Sequence, residues 1–526
     1  EDIRQDDVEA VRQVKKRFEK LRNDRAWFND WNVCNLWTAA FFFTYTPETK
    51  ASAPTSERLA GFMKNPAAAY GPMVGRANSL AMEHRFFHWP LEFPDVFEQG
   101  GFDVMLGNPP WEIIELKEQE FFATRDSKIA NADNKAERTK LINQLSSKNP
   151  ELFYDYVKES HYYDAARKFL KESGRNPLTA FGRINMYPIF AENYSTLINQ
   201  KGRTGIIVPT GIATDDGNKD FFGNIIDKNR LVSLFDFENR EKIFQDVDSR
   251  YKFCLLTLSA SDIGSRKAQF GYFLTNVTHL QDKMRIFSLS KEDFLRLNPN
   301  TKTCPVFRTR VDAELTTKIY QRVPVLINEE TGENPWGVSF KQGLFNMSSD
   351  SHLFRTRQQL ESAGFELWGN RMKRNNEVWL PLYEAKMIWH YDHRFGTYAG
   401  VDSRTSTQTP TPSVEQYQDP NYQILPWYWV EETLVNDYMN SKFVIGFRRI
   451  TNNTNERTFV NSLIAKNGFG DNTFLMFSSK NALQIVCLNS LLSSLPFDFI
   501  CRQKLAGMNM NFFYVNQFPV LSPNSF

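Results

Sequence analysis

The sequence predicts an α/β fold with a doubly wound, mostly parallel sheet, followed by a separate α+β domain. In the first half, short apolar segments typical of strands alternate with helical segments between residues 102 and 258, the pattern of a parallel sheet covered by helices. From about residue 263 onward, turn clusters alternate instead with short aromatic segments. We therefore expect a helical segment and loop at 1–75, an α/β core at 76–262, a connecting segment at 263–330 and an α+β domain at 331–526.

Composition and charge narrow the classes of protein. Hydrophobic residues make up 41% of the 526 residues and charged residues 24%, which is typical of a globular protein. No apolar segment reaches the ~20 residues of a membrane helix, so we predict no membrane contact and a cytoplasmic location. The net charge of +2 excludes a globally basic nucleic-acid-binding protein but allows a local basic groove. Because the five cysteines form no Cys-x-x-Cys pair, we predict neither a disulfide framework nor a metal site.

The elements of the core follow in order along the chain. Residues 1–45 have helix-like apolar spacing, and a stretch rich in Pro, Ala and Gly at 46–75 predicts a loop. An apolar strand at 102–106 precedes a helical insertion at 112–180, which is rich in Glu, Lys, Ala and Leu. Three further strand candidates lie at 204–209, 231–237 and 251–258.

One motif carries the chemistry: Asn108-Pro109-Pro110-Trp111, directly after the strand at 102–106. Ligands of open α/β sheets bind at the carboxyl ends of the strands. The Asn108 side-chain oxygen and the Pro109 carbonyl could accept both hydrogens of a planar amino group and localise its lone pair for attack on a methyl donor. Pro110 helps to fix the backbone, and Trp111 offers a face on which a flipped base can stack. Neither a metal nor a covalent intermediate is required.

The residues around this motif resemble a known family. The segments 85–94 and 101–112 closely resemble large adenine-specific DNA methyltransferases of type IIG restriction–modification systems and of related phage-defence systems, the BREX and DISARM kinds. The resemblance extends from about residue 80 to the end. It implies a Rossmann-like core that uses S-adenosylmethionine, a target-recognition domain at 331–526, and double-stranded DNA as partner. It also implies a nuclease or helicase, as a domain or a subunit, in the same system.

One feature of that family is missing. The glycine-rich cofactor loop, an aromatic-x-Gly-x-Gly sequence at the family's first strand, is absent, and the turn at 202–205 does not replace it. The cofactor-binding residues therefore remain unknown. Because this loop precedes the Asn-Pro-Pro motif in the family, we expect it upstream of Glu1, in a core that is truncated at its start.

The resemblance also implies a second aromatic wall for the flipped base. Phe244 occupies the corresponding position. A phenylalanine of the hydrophobic core explains the same residue equally well, and Tyr251 is the second candidate for the wall.

Polar segments of the second half are candidates for DNA contact. Glu384 and Lys386 resemble the end of a nuclease metal motif, and His390 and His393 have the spacing of a metal pair, but no third ligand is evident. The resemblance instead places this segment, including Lys386, near DNA. Paired arginines and amide side chains then follow an apolar strand; Arg reads guanine and phosphate, and Asn reads adenine. The DNA-binding candidates there are Arg448, Arg449 and Arg457, with a solvated edge strand as the alternative.

Two alternative functions stay open. An enzyme with the same Asn-Pro-Pro-aromatic arrangement could methylate a protein glutamine or an RNA base, although the long domain at 331–526 favours DNA. The chain could also be a non-catalytic specificity module that binds DNA for a partner nuclease or helicase. The missing glycine-rich loop keeps this second alternative open.

Overall fold

The computed structural model describes residues 8–68, 70–260, 267–404, 409–505 and 507–526. The chain divides into two compact units, and each is described by itself. The first comprises residues 1–212, 228–233 and 253–265, and the second comprises 213–227, 234–252 and 266–526.

Eleven α-helices, numbered α1 to α11, lie within the described part of the first unit. Side chains of Asp24, Thr55, Asn134 and Asn149 accept hydrogen bonds from backbone N–H groups at helix starts, as expected for N-caps. The helices are α1 (Val8–Arg22), α2 (Arg25–Phe42), α3 (Ser56–Lys64), α4 (Gly71–Glu83), α5 (Trp89–Glu92), α6 (Pro94–Glu98), α7 (Glu118–Ala123), α8 (Ser127–Ala130), α9 (Lys135–Lys148), α10 (Pro150–Glu172) and α11 (Met186–Leu197).

The strand predictions for the core are confirmed; the second and third strands are longer than predicted, and the fourth is shifted by one residue. The strands are β1 (Phe102–Gly107), β2 (Ile198–Val208), β3 (Leu231–Glu238) and β4 (Lys252–Ser259). β1 pairs in parallel with β2, as the strand–helix–strand pattern predicts. β4 runs antiparallel to β2, so the sheet is mixed rather than wholly parallel.

The loop prediction for residues 46–75 is wrong at 56–64 and at 71–75, because α3 and the start of α4 lie there. Composition suggested a loop, but tertiary packing decides the structure. Phe62 and Met73 are buried against Leu36 and Phe43 at one end of α2. The helical insertion predicted at 112–180 is confirmed by α7 to α10, whose core includes the fully buried Phe122.

The second unit contains the remaining elements. Its helices are α12 (Gly211–Thr214, which begins in the first unit), α13 (Lys219–Asp227), α14 (Lys291–Leu297), α15 (Arg310–Arg322), α16 (Arg357–Ser362), α17 (Val414–Gln418), α18 (Glu432–Tyr438), α19 (Ala482–Leu492), α20 (Leu495–Lys504) and α21 (Phe512–Asn516). Its further strands are β5 (Lys267–Leu274), β6 (Phe287–Ser290), β7 (Val338–Gln342), β8 (Glu366–Trp368), β9 (Arg371–Arg374), β10 (Glu377–Tyr383), β11 (Trp429–Glu431), β12 (Phe443–Arg448), β13 (Asn461–Ala465), β14 (Gly468–Phe469) and β15 (Thr473–Ser478).

Two sheets organise the region after residue 331, which is a mixture of helices and strands as predicted. One sheet has the order β11-β10-β9-β8, with β14 added in parallel to β10. The other has the order β13-β12-β15-β7, and all its pairs are antiparallel. Before them, β5 and β6 form an antiparallel pair within the segment 263–330.

Among the described residues, no single helix is both long and apolar enough to cross a membrane. The helices α19 and α20, which meet at a bend of 59°, satisfy the length and composition criteria only as a pair.

Candidate active site

The Asn-Pro-Pro-Trp motif lies at the carboxyl end of β1, in the first unit. Asn108 and Pro110 are exposed, whereas Pro109 is buried and Trp111 is half-buried. None of the described residues forms a hydrogen bond with the Asn108 side chain. Its amide oxygen is therefore available to an incoming donor, on a backbone that the two prolines restrict.

Gly107, immediately before the motif, allows a close contact with helix α11. A Cβ atom at this position would lie 2.8 Å from the Oη atom of Tyr194 and 2.9 Å from its Cε2 atom. Burial raises the pKa of the Tyr194 phenol. The aromatic ring of α11 thus sets the position of the backbone from which Asn108 projects.

A second contact holds the backbone that follows the motif. The Asn185 side chain caps α11 by accepting a hydrogen bond from Tyr187 N, and its Nδ2 donates to Trp111 O at 3.3 Å. Next to it, Met186 N donates to Glu112 O at 2.8 Å. Residues after the motif are therefore tied to the start of the helix that packs against Gly107. Nothing in the sequence singled out Asn185 or Tyr194, because both act through contacts about 75 to 90 residues away in the chain.

Trp111 borders a cavity of about 480 Å³. Its indole Nε1 is buried and has no hydrogen-bond partner among the described residues. The lining also includes Glu115, which pairs with Arg183, and Glu120, which pairs with Lys117 at 2.9 Å. The lining beside the tryptophan therefore carries both acidic and basic side chains.

Close-approach glycines of the first unit do not form a cofactor cradle. A Cβ at Gly101 would lie 2.5 Å from Leu197 O, and one at Gly202 would lie 2.6 Å from Phe102 O. Both glycines therefore serve the packing of β1 against β2, at the end of β1 opposite Asn108. Among the described residues we identify no glycine turn that fits the nucleoside of S-adenosylmethionine, and the cofactor-binding residues remain unassigned.

Phe244 belongs to the second unit, in a loop that Asn239 organises. Asn239 Nδ2 donates to Phe244 O at 2.8 Å and to Val247 O at 2.9 Å, while its Oδ1 accepts from Phe244 N. The Phe244 side chain is 40% exposed and that of Tyr251 is 56% exposed. Phe244 is therefore not a buried residue of the hydrophobic core, and its ring is accessible to a ligand.

The segment around Lys386 is held by an ionic cluster rather than arranged as a metal site. Glu384 pairs with Arg404 at 2.5 Å and with Lys386 at 3.8 Å, and it accepts a hydrogen bond from Tyr398 Oη. Within the described part of the chain, no group of three His, Cys, Asp or Glu side chains could hold a metal ion.

The Arg448 side chain is bound to backbone carbonyl oxygens of its own unit. Its Nε and Nη2 atoms donate to the carbonyl oxygens of Ala385, Lys386 and Ile388 at 2.6–3.4 Å, and its guanidinium lies 4.7 Å from the Trp389 ring. Burial lowers the pKa of Arg448 to about 10. These bonds hold the 385–388 backbone, so a role in reading DNA would compete with them.

The two other candidate arginines differ from Arg448 and from each other. Arg449 is half-buried, with a buried Nε that lacks a partner among the described residues and a guanidinium 5.6 Å from the Phe474 ring. Arg457 is half-buried in a loop whose backbone Arg502 holds through Asn453 O and Glu456 O.

Part of this chain is similar to a known protein family. Residues 46–244 match the model of the family described as Eco57I restriction-modification methylase, which is less than half of the chain. No curated protein matches the chain significantly.

The solved structures that resemble this chain have low TM-scores and low sequence identities. They include the type IIG restriction endonuclease BpuSI (13% identity over 69% of this chain and 45% of that chain, TM-score 0.26). A second is the type IIL restriction-modification enzyme MmeI in complex with DNA (10% identity over 76% of this chain and 43% of that chain, TM-score 0.30). A third is the type ISP restriction-modification enzyme LlaBIII bound to DNA (8% identity over 79% of this chain and 28% of that chain, TM-score 0.31). The chain thus spans less than half the length of each, and likenesses of this extent do not establish a common fold. What the comparisons do establish is that residues 46–244, which include the Asn-Pro-Pro-Trp motif and end at Phe244, are similar to the Eco57I family of restriction-modification methylases.

Proposed function

We propose that this chain acts in DNA methylation and transfers a methyl group to the exocyclic amino group of adenine. The observation that carries the proposal is the exposed Asn108 at the carboxyl end of β1, within the segment that matches a restriction-modification methylase family. In an α/β sheet this end of a strand is where substrates bind. A methyltransferase activity on DNA is the function that both the motif and the family match favour.

Asn108 and Pro109 would act by positioning. The amino nitrogen of adenine is a weak nucleophile, because its lone pair is delocalised into the ring. Two acceptors, the Asn108 amide oxygen and the Pro109 carbonyl, would hold both amino hydrogens and favour a tetrahedral nitrogen. Fixed dipoles aimed at the reacting group lower the barrier without reorganisation during the reaction.

Trp111 would supply a stacking face for the adenine after it leaves the duplex. The Asn185 bond to Trp111 O and the contact of Tyr194 with Gly107 hold the two sides of the motif. Phe244, exposed on its loop in the second unit, stays a candidate for stacking on the flipped base. S-adenosylmethionine would supply an electrophilic methyl group on a positively charged sulfur.

Double-stranded DNA is the proposed partner, and a cytoplasmic restriction–modification or phage-defence system is the proposed setting, with a nuclease or helicase in the same chain or a partner. Residues 331–526 are the proposed target-recognition domain. The first alternative, methylation of a protein glutamine or an RNA base, uses the same acceptors. The second alternative, a non-catalytic specificity module, stays open because the sequence does not contain the glycine-rich cofactor loop.

The test is methyl transfer from tritiated S-adenosylmethionine to duplex DNA, with the methylated base identified by chromatography. We expect Asn108→Ala to lower the rate by about 10²–10³-fold, because one positioned acceptor is lost, while DNA affinity stays the same. Gln200→Ala, an exposed polar residue on β2, is the matched control and should keep the wild-type rate.

Three outcomes contradict the proposal in different ways. A wild-type rate in Asn108→Ala removes the role of the motif. A methylated base other than adenine removes the substrate assignment. DNA binding without any methyl transfer by the full-length wild-type protein favours the specificity module.

A further inference from the structure

The β8–β9 hairpin forms one edge of its sheet and carries a tightly held two-residue turn. Gly369, the first turn residue, has φ +64°, and Asn370 N donates to Gln423 Oε1 at 3.0 Å. Trp429 Nε1 donates to Asn370 O at 2.8 Å. A side chain at residue 369 would meet the Oε1 atom of Gln423 at 2.7 Å, but the positive φ by itself already favours glycine at this position. The hairpin tip is therefore held by a glycine turn and two hydrogen bonds.

One face of this hairpin carries an indole, two cations and one carboxylate, that of Glu366. The register pairs Trp368 with Arg371 and Glu366 with Lys373, so these side chains share a face, while Met372 points into the core. The Trp368 ring is 62% exposed, and the Lys373 ammonium lies 3.4 Å from its centroid. A large exposed indole beside two cations is unusual on a surface that contacts only water.

A groove of about 890 Å³ runs beside this face. Arg371, His393 and Arg394 line it, and none of its described lining residues is an aspartate or glutamate. Arg394 is held by three carbonyl oxygens, those of Tyr417, Asp419 and Tyr422. By contrast, no described residue forms a hydrogen bond or ion pair with the Arg371 side chain, which lies directly after the rigid turn. The groove thus combines a fixed positive charge with one guanidinium available for a ligand.

We propose that the β8–β9 hairpin reads duplex DNA from the major groove, with Arg371 as a specificity-determining residue that bonds a guanine edge. This inference rests on the proposed action on DNA. The major groove admits a two-stranded ribbon, and because β9 also pairs with β10 the hairpin would enter it by its tip. A bidentate arginine–guanine pair is the commonest specific contact there. Lys373 would contact phosphate, and Trp368 would give apolar contact to the bases or sugars. The major groove of duplex RNA is too deep and narrow for such a ribbon, so DNA is favoured over RNA.

The proposal adds to the recognition surface suggested by the sequence. Arg448 holds the 385–388 backbone, whereas Arg371 makes no such bonds to the described residues. Arg448 ends β12 and Arg371 begins β9, so both lie at the end of a strand and their local positions do not distinguish them. The distinction comes from tertiary contacts.

The experiment measures binding of the whole chain to duplexes with a randomised centre, with the bound fraction sequenced, and then to the preferred duplex at ~50 to ~200 mM salt. For Arg371→Ala we expect a loss of about 5- to 150-fold on the preferred duplex and relaxed preference at one base pair. Arg371→Lys should lose the same preference but keep the salt dependence. Lys373→Ala should weaken binding to all sequences and reduce the salt slope by about 0.9.

Arg374→Ala is the matched control, because Arg374 is on the same strand and exposed, but it pairs with Glu377 at 2.9 Å and donates to Ala363 O. Its affinity and preferred sequence should equal the wild type. If both Arg371 variants also keep the wild-type sequence preference, the inference is overturned while the proposed methyl transfer stands, since binding needs no cofactor. If the wild-type chain does not bind duplex DNA, or prefers duplex RNA, the inference falls together with the DNA substrate. Loss of preference in Arg371→Ala, with Asn108→Ala still methylating at the wild-type rate, supports the inference and contradicts the proposed function.

Discussion

Gly107→Ala is the substitution that tests how the candidate active site is held in place. The added methyl group would meet the Oη, Cε2 and Cζ atoms of Tyr194, at 2.8, 2.9 and 3.2 Å, and all three belong to one half-buried side chain of α11. Gly107 does not have a positive φ, so the backbone conformation itself accepts alanine. The whole cost is therefore steric, and the tyrosine or the end of β1 must shift.

The size of the effect follows from this contact. Overpacking a well-packed site by one methyl group costs about 1–3 kcal/mol. For a folding unit of this size, that cost lowers the melting temperature by about 2–4 °C per kcal/mol, or roughly 2–12 °C. A displacement of about 1 Å at the next residue, Asn108, would lower methyl transfer by up to about 10²-fold.

Thermal unfolding of four variants separates the contact from other effects. Gly205→Ala is the matched control on the neighbouring strand. Its new methyl would meet only the Cδ2 atom of Leu106, at 2.7 Å, and Leu106 is 76% exposed and can rotate away. We expect little change there. In a Tyr194→Leu background, which removes the colliding ring, Gly107→Ala should cost at least about 1 kcal/mol less than in the wild type.

The reasoning is refuted by either of two results. Gly107→Ala could leave the melting temperature unchanged, which would mean that the Tyr194 ring does not lie against the strand. Alternatively, the cost could be equal with tyrosine and with leucine at residue 194, which would place the strain elsewhere.

Two other predictions concern the second unit. Arg448→Ala should lower the unfolding free energy by roughly 3 kcal/mol, because three backbone carbonyls lose a charged donor; equal stability of this variant and Arg374→Ala in urea would contradict its structural role. Lys504 is 3% exposed and donates to Leu297 O and Gln517 O, and burial holds its pKa well below the usual value of 10.5. Between the pKa of Lys504 in the folded state and its pKa in the unfolded state, the unfolded state therefore binds more protons. The wild type should thus gain stability relative to Lys504→Met as the pH rises towards 10.5. A gain in stability on lowering the pH would contradict this prediction.

Local sequence patterns predicted the elements that local interactions specify. The strand at 102–106 and its motif were evident because an apolar segment ends at Gly-Asn-Pro-Pro, where a strand cannot continue. The helical insertion at 112–180 was evident from its composition. Arg448, in contrast, follows an apolar strand and is typical of a surface position by sequence, but its acceptors lie about 60 residues earlier. The hydrogen bonds that decide its role depend on the tertiary fold.

Strand β1 shows the same limit at the candidate site itself. By sequence, Val104, Met105 and Leu106 form a continuous apolar segment, the pattern of a parallel strand that is covered on both faces. The structure buries Met105 against Ile198, but Val104 is 57% exposed and Leu106 is 76% exposed, because no described residue covers their face. Large apolar side chains that are exposed together mark contact surfaces more often than solvated ones. Asn108 projects from the end of this half-covered strand, and the contacts that hold its backbone come from Tyr194 and Asn185 of the α11 region, which the apolar pattern of β1 does not reveal.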